Sequence, residues 1–445
     1  MGIEISSLTG GATNKKWAER MLKFDSMLNS DFAESIGLRS KMEKLIYFGA
    51  YNGTKMAMMA QKVFSGGGAS SATRLNPKAK ADLFDLNYTE EQEMVREAVK
   101  SFASIVREAA EKTDEVFVVS DEIRNGFSEL GLVLYLVPES LGGMMKEKST
   151  VTQMMVLETL AHGDLGMALA LYTPLSVLNA IIEWGTEAQQ KELVPAYLNE
   201  AGFPQTSMAV NEPSPLFSPY ELSTKATKSG NGYKINGVKN MVPLASVAEY
   251  FIVVADTDNG PQAFIVDKGA AGLTITEDKG MGLNSAQLGK LTLKDVEVDA
   301  SAMLGGGDAF NYEDFVNYNK LGWCSLAVGC CQGVLDYVIP YANDRVAFGE
   351  PISHRQAVAF IISDIKIEMD SMRILTQRAV SRAEQGLPFA KETYLAHIMC
   401  SDKSMEIGSS GVQLLGGHGY IRDFPVQRWY RDLRAVAIAH NGVHI

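Results

Sequence analysis

Gln413-Leu-Leu-Gly416-Gly417-His418-Gly419-Tyr420-Ile-Arg-Asp-Phe-Pro425-Val-Gln-Arg-Trp-Tyr-Arg431-Asp432 runs directly into Leu-Arg-Ala-Val-Ala-Ile-Ala-His440-Asn441-Gly442-Val-His444-Ile445. The first part carries a glutamine and a glycine pair. Glycines without a Cβ let backbone N–H groups approach an anion closely, although the same pair can simply stop a helix. The second part has no carboxylate after Asp432, and its titratable groups there are Arg434, His440 and His444. A neutral imidazole, with an ordinary pKa of about 6.5, is a common general base. His440 and His444 are therefore the side chains of this stretch that could exchange a proton near neutral pH. A histidine at a helix end is also commonly a capping or packing residue, and both readings of His440 stand at this point.

Working outward, residues 309–445 read as a helical bundle, with apolar positions such as Ile365, Met369 and Met372 on one side of a helix. Residues 204–308 change to strand chemistry, in short Val-, Ile- and Thr-rich runs such as Tyr250-Phe-Ile-Val-Val-Ala255 separated by turn glycines. Residues 86–203 are helical again. Thr89-Glu-Glu-Gln92 is a capping box, and the helix it opens carries Met94, Val95, Ala98, Val99 and Phe102 as its expected apolar stripe. Residues 1–85 are expected to form a helical extension closed by the flexible linker Ser65-Gly-Gly-Gly-Ala-Ser-Ser71.

Bulk properties narrow the function. A net charge of −12 argues against nucleic acid, whose phosphates need clustered Lys and Arg. Four cysteines without a Cys-x-x-Cys pair give neither a zinc motif nor a disulfide framework, so no metal is expected and the thiols are read as free. No unbroken apolar run of about 18 residues suggests a membrane span. Glu4, Glu19 and Asp25 stand where a targeting leader would be apolar or acid-poor, so a cytoplasmic location is expected.

The spaced motifs resemble the acyl-CoA dehydrogenase family between residues 86 and 440. The strings that carry the likeness include Val137-Pro138-Glu139-Ser-Leu-Gly142-Gly143, Gly185-Thr-Glu-Ala-Gln189, Asn236-Gly237-Val-Lys239, Met281-Gly282-Leu, Arg345-Val-Ala-Phe348-Gly349-Glu-Pro-Ile-Ser-His-Arg-Gln356 and the C-terminal stretch quoted above. The resemblance implies an α+β fold: an N-terminal all-α domain, a middle β-barrel or sandwich domain and a C-terminal four-helix bundle. It also implies FAD as cofactor, an acyl-CoA substrate oxidised at its Cα–Cβ bond, an electron-transfer flavoprotein as partner, and a tetramer. Cofactor contacts carried over are Arg345, Phe348, Gln356, Gln413, Gly416 and Gly417, which in family tetramers reach the FAD held mainly by a neighbouring subunit.

Four departures from the family pattern stand out. The β-domain signature Thr-Glu-Pro-Gly-Ala-Gly-Ser-Asp reads Asn211-Glu212-Pro213-Ser214-Pro215-Leu216-Phe217-Ser218, and Pro215 has no N–H to offer a phosphate. The Trp-Ile-Thr string that faces the flavin in the family reads Met241-Val242-Pro243. The usual catalytic glutamate is replaced by His440, and the second family location for that base reads Asn319. Residues that reach a neighbour's cofactor are kept, while those serving the chain's own are altered. The expected function is therefore acyl-CoA dehydrogenase-type oxidation within a hetero-oligomer. The alternatives are a non-catalytic subunit completing a homologue's FAD site, or a different flavin oxidation on the same scaffold.

Overall fold

The capping box opens the first helix as its spacing requires. The computed structural model describes residues 87–199, 202–307 and 309–445. In it the Thr89 hydroxyl accepts from the Gln92 backbone N–H at 3.2 Å, and the Gln92 side chain accepts from the Thr89 N–H at 3.0 Å. The helix, α1 (Glu90–Val116), buries Val99, Phe102, Val106 and Ala110. Met94 is 75% exposed and Ala98 is exposed as well, so the apolar face is rotated relative to the expected stripe and begins a turn later. The expected extension at 1–85, with its linker, lies outside the described residues.

The rest of the first block is α2 (Asp121–Glu129), α3 (Leu132–Leu136), α4 (Thr150–Gly163), α5 (Leu165–Trp184) and α6 (Glu187–Tyr197). A second capping box, Thr186 with Gln189, opens α6. Helix α5 is long and apolar enough to span a membrane but is enclosed by protein over almost its whole length, as a core helix. Asp164 fixes its start by accepting the Met167 N–H at 3.0 Å and pairing with Arg428 Nε at 2.8 Å, both partners of that ion pair being buried.

The middle block is one mixed sheet of β1 (Thr206–Ala209), β2 (Lys225–Ser229), β3 (Gly232–Val242), β4 (Tyr250–Thr257), β5 (Gly260–Asp267), β6 (Leu273–Glu277) and β7 (Gly289–Asp299). The order is β1-β4-β2-β3-β7-β6, with β5 on β4. β1 runs parallel to β4, Thr206 facing Tyr250, while β3 and β7 are antiparallel with Tyr233 facing Val298. Ile235, Phe251, Phe264, Leu291 and Val296 form its core.

The last block comprises α7 (Tyr312–Asp344), a hairpin of β8 (Val346–Ala347) and β9 (Glu350–Pro351), α8 (Gln356–Glu384), α9 (Ala390–Leu415) and α10 (Val426–Leu433). Ile365, Met369 and Met372 face inward on α8, as their period requires. Helices α4 and α7 touch backbone to backbone, because a Cβ at Gly329 would lie 2.0 Å from the Glu158 carbonyl oxygen. The expected order of helical domain, sheet and helical bundle is the observed one.

Arg431 and Asp432 tie the three blocks together. Arg431 Nη2 pairs with Asp114 Oδ2 of α1 at 2.7 Å, and Nη1 donates to the Met281 carbonyl at 3.2 Å. Asp432 Oδ1 accepts the Leu283 N–H at 2.6 Å. Burial, with Asp164 nearby, pushes the Asp432 carboxyl up to about 7.

Candidate active-site crevice and an exposed bundle end

Beyond α10 a short 3-10 turn, Arg434–Ala437, delivers residues 438–445 into the space between the sheet and helices α5 and α7. The ends of β1 and β3 form one wall. Asn441 Oδ1 accepts the N–H groups of Val210 and Asn211 at 2.5 and 2.8 Å, while its Nδ2 donates to the carbonyls of Asn240 and Met241 at 3.1 and 3.0 Å. Asn211 answers in kind: its Nδ2 donates to the Ile438 carbonyl at 2.7 Å and its Oδ1 accepts the His440 N–H at 2.7 Å.

The helical wall reads the same segment. Trp323 Nε1 donates to the Asn441 carbonyl at 3.0 Å, Thr173 Oγ1 to that of Gly442 at 3.1 Å, and Asn179 Nδ2 to that of His444 at 3.0 Å. Gly442 sits at φ +75°, a region costly for other residues, and a Cβ there would meet Pro243 Cγ at 2.8 Å. On α7, Gly322 leaves room for the chain, since a Cβ would lie 2.0 Å from the Val443 carbonyl oxygen.

His440 lies past the helix end, 8% exposed, stacked on His397 at 6.0 Å and edge-on to Phe217 at 5.9 Å. Burial, reinforced by the charges that His397 and Lys320 can carry, pushes its pKa down to about 3. At neutral pH it is an uncharged ring and a weak proton acceptor. His444 is fully buried in a cage of Trp184, Phe315 and Tyr318, with centroids 4.9, 5.8 and 5.0 Å away, and neither ring nitrogen has a partner. Asn319 donates to the Phe315 carbonyl at 2.9 Å and cannot take a proton.

Glu212 keeps a structural task. It accepts the N–H groups of Ser223 and Thr224 at 2.6 and 2.9 Å and pairs at 2.8 Å with Lys239, which is wholly buried. Burial, the largest single influence, raises its carboxyl; the Lys239 ammonium and the Thr224 and Ser223 N–H groups together outweigh it and the net shift is downward. The same burial pushes Lys239 down to about 8.

The other candidates lie together elsewhere, at one exposed end of the bundle. Phe348 and Gly349 form the two-residue tip of the β8–β9 hairpin with φ of +55° and +87°, positive at both central positions as in a type I′ turn. Phe348 is 97% exposed, and Arg345 and Gln356 flank it in solvent. Gln413, Gly416 and Gly417 are exposed too, and nothing lies within 4 Å of a Cβ built at either glycine. Tyr341, on the last turn of α7, joins the two groups through a 2.8 Å bond to His418 Nδ1. His440 is not part of this end.

These two regions give opposite results for FAD. The crevice does not fit it: Asn441 already takes the β1-end amides, and Gly442 lies against Pro243, where the family string would face a ring. The bundle end presents an arginine fork, an aromatic ring, two carboxamides and two glycines with open space beside them, the Gly416 N–H itself donating to the Gln413 carbonyl. Sequence reasoning missed Asn441 and Asn211 as partners, together with His397, Trp323 and Thr173. Both asparagines stand where the family pattern breaks, which was the signal available.

Residues 89–201, 207–296 and 312–442 match the family models of the N-terminal, middle and C-terminal domains of acyl-CoA dehydrogenase. Cyclohex-1-ene-1-carbonyl-CoA dehydrogenase of Geobacter metallireducens is 31% identical over 365 residues, covering 79% of this chain and 94% of that protein. The structure of butyryl-CoA dehydrogenase from Megasphaera elsdenii superposes with a TM-score of 0.73 at 28% identity, covering 80% of this chain and 96% of that one. A structure described as the electron transferring flavoprotein of Acidaminococcus fermentans gives 0.73 at 27% identity, with the same coverage. With all three domain models matched in order and nearly the whole length of these relatives covered, the chain belongs to the acyl-CoA dehydrogenase family.

Proposed function

We propose that the protein serves acyl-CoA dehydrogenase-type oxidation of the Cα–Cβ bond of an acyl-CoA thioester as one subunit of a hetero-oligomer, completing the FAD site of a homologous subunit. The observation that carries this reading is the split between the two regions: the exposed bundle end is open and chemically complete, while the chain's own crevice is filled. FAD supplies the redox chemistry of this class when bound. This chain's share is to hold it: Arg345 pairs with phosphate, Phe348 packs on the adenosine end, Gln356 and Gln413 serve ribose or adenine, and the open Gly416-Gly417 turn lets the pyrophosphate approach the backbone.

The hairpin tip supports that role. A non-glycine residue held at positive φ is a strained choice that functional sites tolerate, and here it presents a large apolar ring to solvent. The proton-removing base belongs to the homologous subunit in this reading, because a buried imidazole with a pKa of about 3 does not compete at neutral pH. An electron-transfer flavoprotein is the matching redox partner, and a cytoplasmic setting agrees with four free, buried thiols.

The test is the flavin content and native mass of the chain alone and co-expressed with a glutamate-bearing homologue. Flavin should appear only in the mixed assembly. A homotetramer of this chain with one FAD per chain and turnover of an acyl-CoA would sink the reading.

A further inference from the structure

We infer that residues 438–444 are the resident ligand of this chain's own crevice, taking the position against β3 that a cofactor ring would take, through a reciprocal clamp between Asn211 and Asn441. The inference does not require a partner subunit.

Three observations carry it. First, the clamp is complete from both sides. One carboxamide satisfies two N–H groups and two carbonyls of the strand ends, and the other satisfies a carbonyl and an N–H of the inserted segment. A carboxamide has the donors and acceptor for this and no charge to desolvate.

Second, the departures from the family pattern touch one another although they are distant in sequence. Asn211 bonds the backbone at Ile438 and His440, the Met241 carbonyl accepts from Asn441, Pro243 abuts Gly442, and Phe217 packs on the ring of His440. Independent decay of a site would leave unrelated gaps. These residues instead fill one another's space.

Third, the far wall is shaped to the segment. Gly322 has no Cβ where the Val443 carbonyl crosses α7, and Trp323, Thr173 and Asn179 each donate to a carbonyl of the segment. Asn441, Gly442, Val443 and His444 are all buried as a result. The segment thus joins the sheet to the helical core across a space that would otherwise need a bound molecule to close it.

The experiment is hydrogen exchange on the full-length protein, with and without added FAD, for wild type and for Asn441→Ala and Asn211→Ala. In wild type the amides of Val210 and Asn211 and those of residues 438–444 should be protected like the core, and FAD should change neither. Each substitution should speed exchange in both segments together by at least about tenfold, and the double variant should add little to either single one. Fast exchange at Val210 and Asn211 in wild type would overturn the inference even if the variants fail to fold. So would stoichiometric FAD uptake by the lone chain. Uptake at the chain's own crevice within a mixed assembly would remove this inference and leave the proposed function standing. Protected segments in a chain that brings no flavin to a mixed assembly would do the reverse.

Discussion

The crevice and the bundle end differ in one respect: the first is filled by the chain itself and the second stands open. At the bundle end, Phe348, Gly416 and Gly417 stand in solvent with open space around them. In the crevice the Val210 and Asn211 amides at the end of β1 are already paired within the chain, by the side chain of Asn441. The difference teaches that leaving polar backbone without a partner is costly only where it is buried. An exposed contact surface costs nothing when empty, whereas unpaired N–H and C=O groups between packed domains cost about 1–3 kcal/mol each, so the chain must supply their partners itself.

The sharpest way to break this contrast is pH. His397 and His440 are pushed down to about 4 and about 3 by burial, and His444 well below its ordinary value. All three belong to the crevice and its lining. Because their folded-state values lie below the unfolded one, the unfolded chain binds more protons in between. Stability is full above about pH 6.5 and is lost as pH falls towards the folded values. Three such groups give a slope approaching about 4 kcal/mol per pH unit below the unfolded pKa. Denaturant titrations between pH 7.5 and 5 check this, and His444→Phe, which keeps the ring without the charge, should remove about a third of that slope. An unchanged slope would mean that the cage does not hold a neutral imidazole.

Asn441→Ala comes next. It leaves two N–H groups and two carbonyls of the strand ends without their partner, and we expect a loss of about 3–5 kcal/mol in urea unfolding, within the range for a buried network. Asn211→Ala should cost about 2–3 kcal/mol. The pair should be strongly non-additive, because each removes the other's context. Gly322→Ala follows at about 1–3 kcal/mol, as overpacking against the Val443 carbonyl.

The smallest effect sharpens the comparison from the other side. Phe348→Ala should leave the stability of the lone chain within about 0.5 kcal/mol, as for an exposed position, yet lower the flavin content of the mixed assembly. A large loss of melting temperature in the lone chain would show that the hairpin tip packs on something and is not a free contact.

Much of this arrangement was legible beforehand, and the reason is locality. The Thr89–Gln92 box closes over three residues and the Ile365–Met369–Met372 face over two turns, so spacing alone reports them. The residues of the exposed bundle end fall in two compact runs, 345–356 and 413–417, which is why the sequence drew them out as candidates. The phase of α1 was not legible, since Met94 and Ala98 are apolar without being covered, and only tertiary packing decides which edge of a stripe meets a neighbour. The clamp was invisible for a similar reason. Asn211 and Asn441 are 230 residues apart, and an asparagine in a loop gives no sign of which backbone it will read. The family comparison marked both as odd, but only folding shows that the two oddities explain each other.

The Arg431-Asp432 pair has a consequence for how this scaffold changes over time. Its contacts run to Asp114 in the first block and to Met281 and Leu283 in the middle block, and none of these is in the crevice. Those contacts serve the fold whatever chemistry the chain performs. The position eight residues on is free of that constraint. Selection for assembly alone can therefore preserve the hallmark of the lineage indefinitely while the catalytic group beside it drifts, and a subunit can retire from catalysis without losing its shape.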